Sequence, residues 1–150
     1  IVVTKCPENL SEQEKTAITK RLNPASNQRV FFSSIQYSET LISSDSSRAL
    51  ADLKGTRFTL VTGIANPTPL VSYLTEMGLD FEHLNYKDHH EFSKPELELI
   101  HSKSLVVTTE KDFSRLHTET QGQIYYLPIQ LKIDNASEFE RLVEEYVEQP

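Results

Sequence analysis

Cysteine occurs once in the 150 residues, at Cys6, and tryptophan not at all. A lone thiol excludes a disulfide framework and a four-cysteine zinc site, and it is compatible with a reducing compartment. Glycine is scarce, at four. None of the four stands in a G-x-x-x-x-G-K-[ST] or G-x-G-x-x-G pattern, so nothing here cradles a nucleotide triphosphate unaided. Positive charge is in deficit, with 15 Lys and Arg against 22 Asp and Glu and a net charge of −7. There is no Lys/Arg run either, which argues against a nucleic-acid module, since that needs a basic stripe. Apolar runs are short, far below the roughly 18 residues of a membrane span. No signal peptide is evident, and the chain itself is expected to be soluble.

What is present is an ordinary globular balance, 37% hydrophobic and 25% charged. The opening Ile1-Val2-Val3-Thr4 is apolar and β-branched and reads as a buried strand. A chain that opens mid-strand without methionine is expected to be a fragment, with a partner segment upstream. Lys5 to Asn9 reads as a loop. Ser11-Glu12-Gln13-Glu14 is a capping box for a helix that runs to Leu22, with Ala17, Ile18 and Leu22 on its buried face. Val30–Ile35 and Gln36–Ile42 read as short strands before a Ser-rich break at residues 43–47. This organisation predicts three parts: 1–29 as the tail of an upstream domain, 30–54 as a linking β-ribbon, and 55–150 as an α/β/α domain.

From Gly55 the alternation is regular. Strands are predicted at Arg57–Thr62, Leu79–Tyr86, Leu105–Thr108 and Ile124–Ile129, the last interrupted by Pro128 and extended by Leu131–Ile133. Helices are predicted after Asn66-Pro67, with Gly78 as stop, after the capping box Ser93-Lys94-Pro95-Glu96 (Leu97, Ile100 and Leu99 inward), and over Phe113–Leu116. A further amphipathic helix closes the chain over 135–148, with Phe139, Leu142, Val143 and Tyr146 on its apolar face. Residues 118–123 read as a loop. The pattern predicts a three-layer α/β/α fold on a mostly parallel sheet with right-handed crossovers.

In such a sheet three loops share the carboxyl edge of the strands, where ligands bind. They are Gly63-Ile64-Ala65-Asn66-Pro67, Asp88-His89-His90 and Thr109-Glu110-Lys111-Asp112. An Asp-His pair at a strand end can form a base poised near neutral pH, so Asp88 and His89 are the candidate catalytic residues. Gly63 permits close backbone approach, free N–H groups near Asn66 could hold an anion, and Lys111 could supply a cation. Gly63, Asn66, Thr109, Glu110, Lys111 and Asp112 are therefore candidates for substrate or phosphate binding. No residue is assigned to a metal. Each element also has a plain reading: turn and cap chemistry for Gly63 to Pro67, a helix start for Thr109 to Asp112, and solvated loop histidines for His89 and His90. His83, His101 and His117 read as structural or exposed, and Tyr125 and Tyr126 as core and edge aromatics.

Val61-Thr62-Gly63-Ile64-Ala65-Asn66-Pro67, Asp88-His89-His90-Glu91-Phe92, Val107-Thr108-Thr109-Glu110-Lys111-Asp112 and Tyr125-Tyr126-Leu127-Pro128-Ile129 stand in the order and spacing of one family. Together with Val3-Thr4-Lys5-Cys6-Pro7-Glu8 they resemble the C-terminal part of the tetraacyldisaccharide 4'-kinases, the lipid A 4'-kinases, across essentially the whole chain. The resemblance implies a P-loop-NTPase-like fold of two α/β/α domains joined by a β-ribbon, here without the phosphate loop. It implies transfer of the ATP γ-phosphoryl, with Mg²⁺, to the 4'-hydroxyl of a tetraacyldisaccharide 1-phosphate, the lipid A precursor, at the cytoplasmic face of the inner membrane. The family's Asp-His signature falls on Asp88 and His89, and no role is carried onto His90. The resemblance places the nucleotide and magnesium residues, and any membrane association, in the missing upstream P-loop domain. The fragment alone is then expected to bind neither ATP nor Mg²⁺ and to be inactive. Two other readings are open. One is a manganese-dependent phosphoesterase of the Asp-His-His type, which wants aspartates the chain does not supply as Asp-x-Asp. The other is a non-catalytic module that binds a sugar phosphate.

Overall fold

A computed structural model describes residues 1–116 and 123–148. Nine strands, β1 Val2–Cys6, β2 Phe31–Tyr37, β3 Thr40–Ile42, β4 Ser47–Ala49, β5 Phe58–Thr62, β6 Phe81–Asn85, β7 Leu105–Thr109, β8 Gln123–Leu127 and β9 Ile129–Ile133, occur among these residues. Five α-helices accompany them: α1 Glu12–Leu22, α2 Thr68–Glu76, α3 Lys94–His101, α4 Glu110–Leu116 and α5 Ala136–Val147. The chain forms two compact units, Ser38–Pro128 and a discontinuous one of Ile1–Tyr37 with Ile129–Pro150.

The continuous unit holds a six-stranded sheet in the order β4-β3-β8-β7-β5-β6. The pairs β5–β6, β5–β7 and β7–β8 are parallel, while β3 runs antiparallel to both β4 and β8. The mostly parallel α/β sheet is the predicted one. Its two added antiparallel strands fall in the segment expected to form a ribbon. Helix stops and starts follow the sequence signals. Gly78 ends α2 with φ +72°, a conformation costly for other residues. At the start of α2, Asn66 Oδ1 accepts from the Thr68 N–H at 3.2 Å, although the helical ladder begins at the Pro67 carbonyl.

Strand β5 lies between β7 and the edge strand β6 and is buried along its whole length. Val61 packs with Val106 and Ile124 on one face, beneath Ile100 of α3 and Leu116 of α4. Leu60 and Val107, of opposite parity, are also fully buried, as strands covered on both faces require. Leu97 is half-buried, but Leu99 is 48% exposed and belongs to the outer face of α3, contrary to the inward placement expected. Tyr125 is core and Tyr126 half-buried, as predicted. His83 meets the buried Thr62 hydroxyl at 2.9 Å and His101 the Leu116 carbonyl at 3.2 Å, both structural contacts. His117 and most of the expected loop at 118–123 lie outside the described residues.

The discontinuous unit is a three-stranded sheet, β1-β2-β9, with β1 parallel and β9 antiparallel to β2. Here the structure corrects several expectations. Strand β1 continues through Lys5 and Cys6 by a bulge, with Lys5 at φ +59°, instead of ending at Thr4. Ile1 and Val2 are 45% and 40% exposed, not buried. The full capping box of Ser11 and Glu14 is present, yet no residue of α1 is buried. The same holds for α5, where Val143 and Tyr146 are exposed and Phe139 meets Phe31 edge-on at 5.3 Å. Pro128 does more than interrupt a strand. It separates β8, in the six-stranded sheet, from β9, in the three-stranded one. Residues 30–54 are likewise divided, since β2 pairs with β1 and β9 while β3 and β4 join the larger sheet.

Candidate functional site

Along the chain, β5 is followed by its neighbour on one side, β6, and then by β7 on its other side. The connections therefore diverge at the carboxyl ends of β5 and β7, the switch point where open α/β sheets bind ligands. Gly63 follows β5 there, Thr109 ends β7, and the Asp-His-His loop follows β6. The three predicted loops are brought together, and α4 bonds them to one another.

The frame is Asp112, which is wholly buried. Its Oδ2 accepts from the Gly63 N–H at 2.8 Å and from the Thr109 hydroxyl at 2.7 Å. Its Oδ1 has no hydrogen-bond partner. A Cβ on Gly63 would stand 3.0 Å from that oxygen, so glycine is needed for the close approach. Gly63 is buried and Thr109 half-buried, and the Gly63 N–H and the Thr109 hydroxyl are both engaged with Asp112. Gly63, Thr109 and Asp112, expected from the sequence among residues that meet a ligand, bond to one another and clasp the edge. Asn66 is exposed with its side-chain oxygen on the Thr68 N–H, and Glu110 and Lys111 are exposed.

Lys111 reaches across to the Asp-His-His loop. Its Nζ lies 2.6 Å from Asp88 Oδ1 and 3.4 Å from the Gly63 carbonyl. The Lys111 ammonium holds the Asp88 carboxyl below the usual carboxylate range. Asp88 Oδ1 also accepts from the His89 N–H at 3.0 Å, while Oδ2 lies 3.7 Å from His89 Nε2. His89 has φ +57° and its side chain is 75% exposed. Its neighbour differs: His90 Nε2 lies 3.1 Å from both oxygens of Glu96, and its ring stacks on Tyr86 at 4.8 Å. The Ser93 hydroxyl and N–H, each 2.7 Å from Glu96 Oε2, and then His90, draw the Glu96 carboxyl down to about 2. Thus His90 is a wall of the loop and His89 its exposed apex. Missed from sequence was Arg115, whose Nη1 donates to the His90 carbonyl at 3.2 Å. Its spacing of four from Lys111, which puts both on one helix face, was the available signal.

Chemically, the edge offers an imidazole open to a substrate and a carboxylate that can orient it. Among the described residues, no group of three or more His, Cys, Asp or Glu could hold a metal ion. That leaves the two-metal phosphoesterase reading without a donor set. No helix among them is long and apolar enough to cross a membrane.

Known proteins resemble this chain in fold and in sequence. The fold resembles the crystal structure of "apo" form LpxK from Aquifex aeolicus in complex with ATP, with a TM-score of 0.59 over 81% of this chain and 38% of that one, at 17% identity. Tetraacyldisaccharide 4'-kinase of Flavobacterium johnsoniae is 36% identical over 99% of this chain and 45% of its own length. That of Bacteroides thetaiotaomicron is 33% identical over 89% and 41%. The chain thus spans under half the length of these curated relatives. The family model described as tetraacyldisaccharide-1-P 4'-kinase matches residues 1–148, and the chain belongs to that family.

Proposed function

We propose that this chain is the C-terminal portion of a kinase that transfers the ATP γ-phosphoryl to the 4'-hydroxyl of tetraacyldisaccharide 1-phosphate in lipid A biosynthesis. The observation that carries this is the convergence of the three strand-end loops on Lys111 and Asp112, in a chain matched to this family over residues 1–148. Phosphoryl transfer depends mostly on positioning and charge stabilisation. On this reading His89, the exposed apex, accepts the proton of the sugar hydroxyl, and Asp88 orients its ring. Asn66 and Glu110, also exposed at the edge, are the further candidates to meet the sugar or its phosphate. ATP supplies the phosphoryl group and Mg²⁺ its charge neutralisation. The residues present fit neither, lacking a phosphate loop and, among the described residues, a metal-binding cluster. Both are assigned to an upstream P-loop domain of the whole kinase, together with association with the cytoplasmic face of the inner membrane.

Support for this division comes from the discontinuous unit. Exposed large apolar residues concentrate there: Ile1, Val2, Leu22, Ile129, Leu131, Val143, Tyr146 and Val147, against Leu99 in the other unit. Such a surface suits packing against further chain. The unit is then the part continuous with the P-loop domain, and the antiparallel β2–β9 pair contributes the linking ribbon.

In the complete kinase, His89→Ala is expected to lower turnover by about 10²–10⁴-fold with the fold retained. Unchanged turnover would remove His89 from the mechanism. ATP-dependent phosphorylation by the 150-residue chain alone would overturn the division of labour.

A further inference from the structure

We propose that Lys111 and Arg115 are positioning residues of the phosphoryl-transfer site: from one face of α4 they hold both ends of the loop that presents His89. The inference rests on the kinase reading above and adds residues to it.

Helix α4 has two working faces. Asp112 and Leu116, four residues apart, are wholly buried and seat it against the sheet. Lys111 and Arg115, also four apart, point to the neighbouring loop. Lys111 Nζ binds Asp88 Oδ1 at 2.6 Å and Arg115 Nη1 binds the His90 carbonyl at 3.2 Å. The residues on either side of His89 are therefore fixed from the same rigid support. Between them His89 adopts φ +57°, a conformation that a non-glycine residue keeps only when its surroundings impose it. The ring itself is left open, 75% exposed.

Lys111 also sets how the carboxylate is turned. Its ammonium and the His89 N–H both bind Asp88 Oδ1, which leaves Oδ2 facing His89 Nε2 at 3.7 Å. Without the ammonium, the carboxylate is free to rotate and pair with the imidazole on either oxygen. A lysine at a kinase site more commonly suggests a phosphate ligand. Here its contacts are a carboxylate and the Gly63 carbonyl, which lies 3.4 Å away. The two roles leave different kinetic signatures. A ligand of the non-reacting 1-phosphate binds ground and transition state alike, so its loss raises KM. A positioning residue affects kcat, since a misplacement of about 1 Å can cost about 10²-fold.

The test is steady-state kinetics of the complete kinase with ATP and tetraacyldisaccharide 1-phosphate, for Lys111→Met, Lys111→Arg, Arg115→Met, Asp88→Asn and Asp88→Asn/Lys111→Met. We expect Lys111→Met to lower kcat by about 10–100-fold with both KM values within about twofold. Arg115→Met should lower kcat by a smaller factor, and Lys111→Arg should restore most of the activity. The double variant should be no slower than the worse single one, because the two act as a unit. A raised KM at unchanged kcat, or multiplicative losses, would overturn the proposal. NMR of the His89 ring at one fixed pH in the same proteins is independent of turnover. Its resonances should move in Lys111→Met and in Arg115→Met, as the residues on either side of it are released; unmoved resonances also overturn the proposal. Should the unsubstituted kinase prove inactive, or His89→Ala fully active, the kinase reading fails, and the ring resonances still decide whether Lys111 and Arg115 hold the loop.

Discussion

At the scale of single residues, the carboxyl edge is built around Asp112. It sits where no water reaches, accepts from a glycine N–H on one loop and a threonine hydroxyl on another, and leaves one oxygen unpartnered. Removing one partner of a buried network exposes the others to an unmet desolvation cost of about 1–3 kcal/mol each. Asp112→Ala is therefore expected to destabilise the protein by about 3 kcal/mol, while Glu110→Ala, on the exposed side of the same turn, changes stability by less than about 0.5 kcal/mol. Urea unfolding of the two variants checks the contrast. The sequence showed Gly63, Thr109 and Asp112 as strand-end residues but not their mutual bonding. That depends on a register between β5 and β7, Leu60 opposite Val107, which no local pattern encodes. Lys111 was visible as a cation at the right edge. Its partner, 23 residues away, was not.

At the scale of elements, the helix ends were the most legible feature, because caps are local chemistry. Ser93 and Glu96 close the start of α3 through two short bonds to one carboxylate oxygen. Those bonds need the ionised carboxylate, and Glu96 keeps it down to about pH 2 instead of its ordinary 4.5. The cap's contribution to stability is thus complete above pH 4.5 and is lost as the pH falls through about 2. Protection of the amides at the start of α3, relative to their intrinsic exchange rates, should fall as the pH drops through that window, and Glu96→Gln should abolish the change. If that protection is flat from pH 5 to 2, Glu96 is not the cap's titrating group. Apolar faces were less legible than caps. Ala17, Ile18 and Leu22 were expected to face inward from α1, yet Ala17 and Leu22 are exposed and Ile18 is half-buried; periodicity marks an apolar side and not whether a cover is present. The same limit explains Val143 and Tyr146 on α5. Pro128 shows a third kind of limit. A proline announces a break in a ladder, yet the chain can resume in the same sheet or, as here, in another.

At the scale of the whole molecule, apolar burial is unequal. Of the buried apolar residues described, only Phe31 and Phe32 belong to the discontinuous unit, and the rest lie between Leu41 and Leu127. Regions with few buried contacts open at lower free energy than the core. In hydrogen exchange of the 150-residue chain, amides of β5 and β7 should be the slowest and those of β1 and β9 several orders of magnitude faster. Equal protection in both sheets would show that the smaller sheet does not depend on further cover. The alternation of strands and helices made the larger sheet predictable. The smaller sheet was not, because its three strands are drawn from the two ends of the sequence.

That last arrangement has a consequence for biosynthesis. Strand β2 finds its antiparallel partner β9 only after the whole of Ser38–Pro128 has been made, with Ser33 waiting for Ile133. A growing chain emerges amino end first, and domains fold as units as they emerge. The larger unit, continuous in sequence, can close behind the ribosome while β1 and β2 still lack their third strand. An edge strand in that interval offers unpaired N–H and C=O groups to any neighbour. The vulnerable interval is therefore translation of Ser38–Pro128, and the residues at risk are Phe31 to Tyr37 rather than those being added.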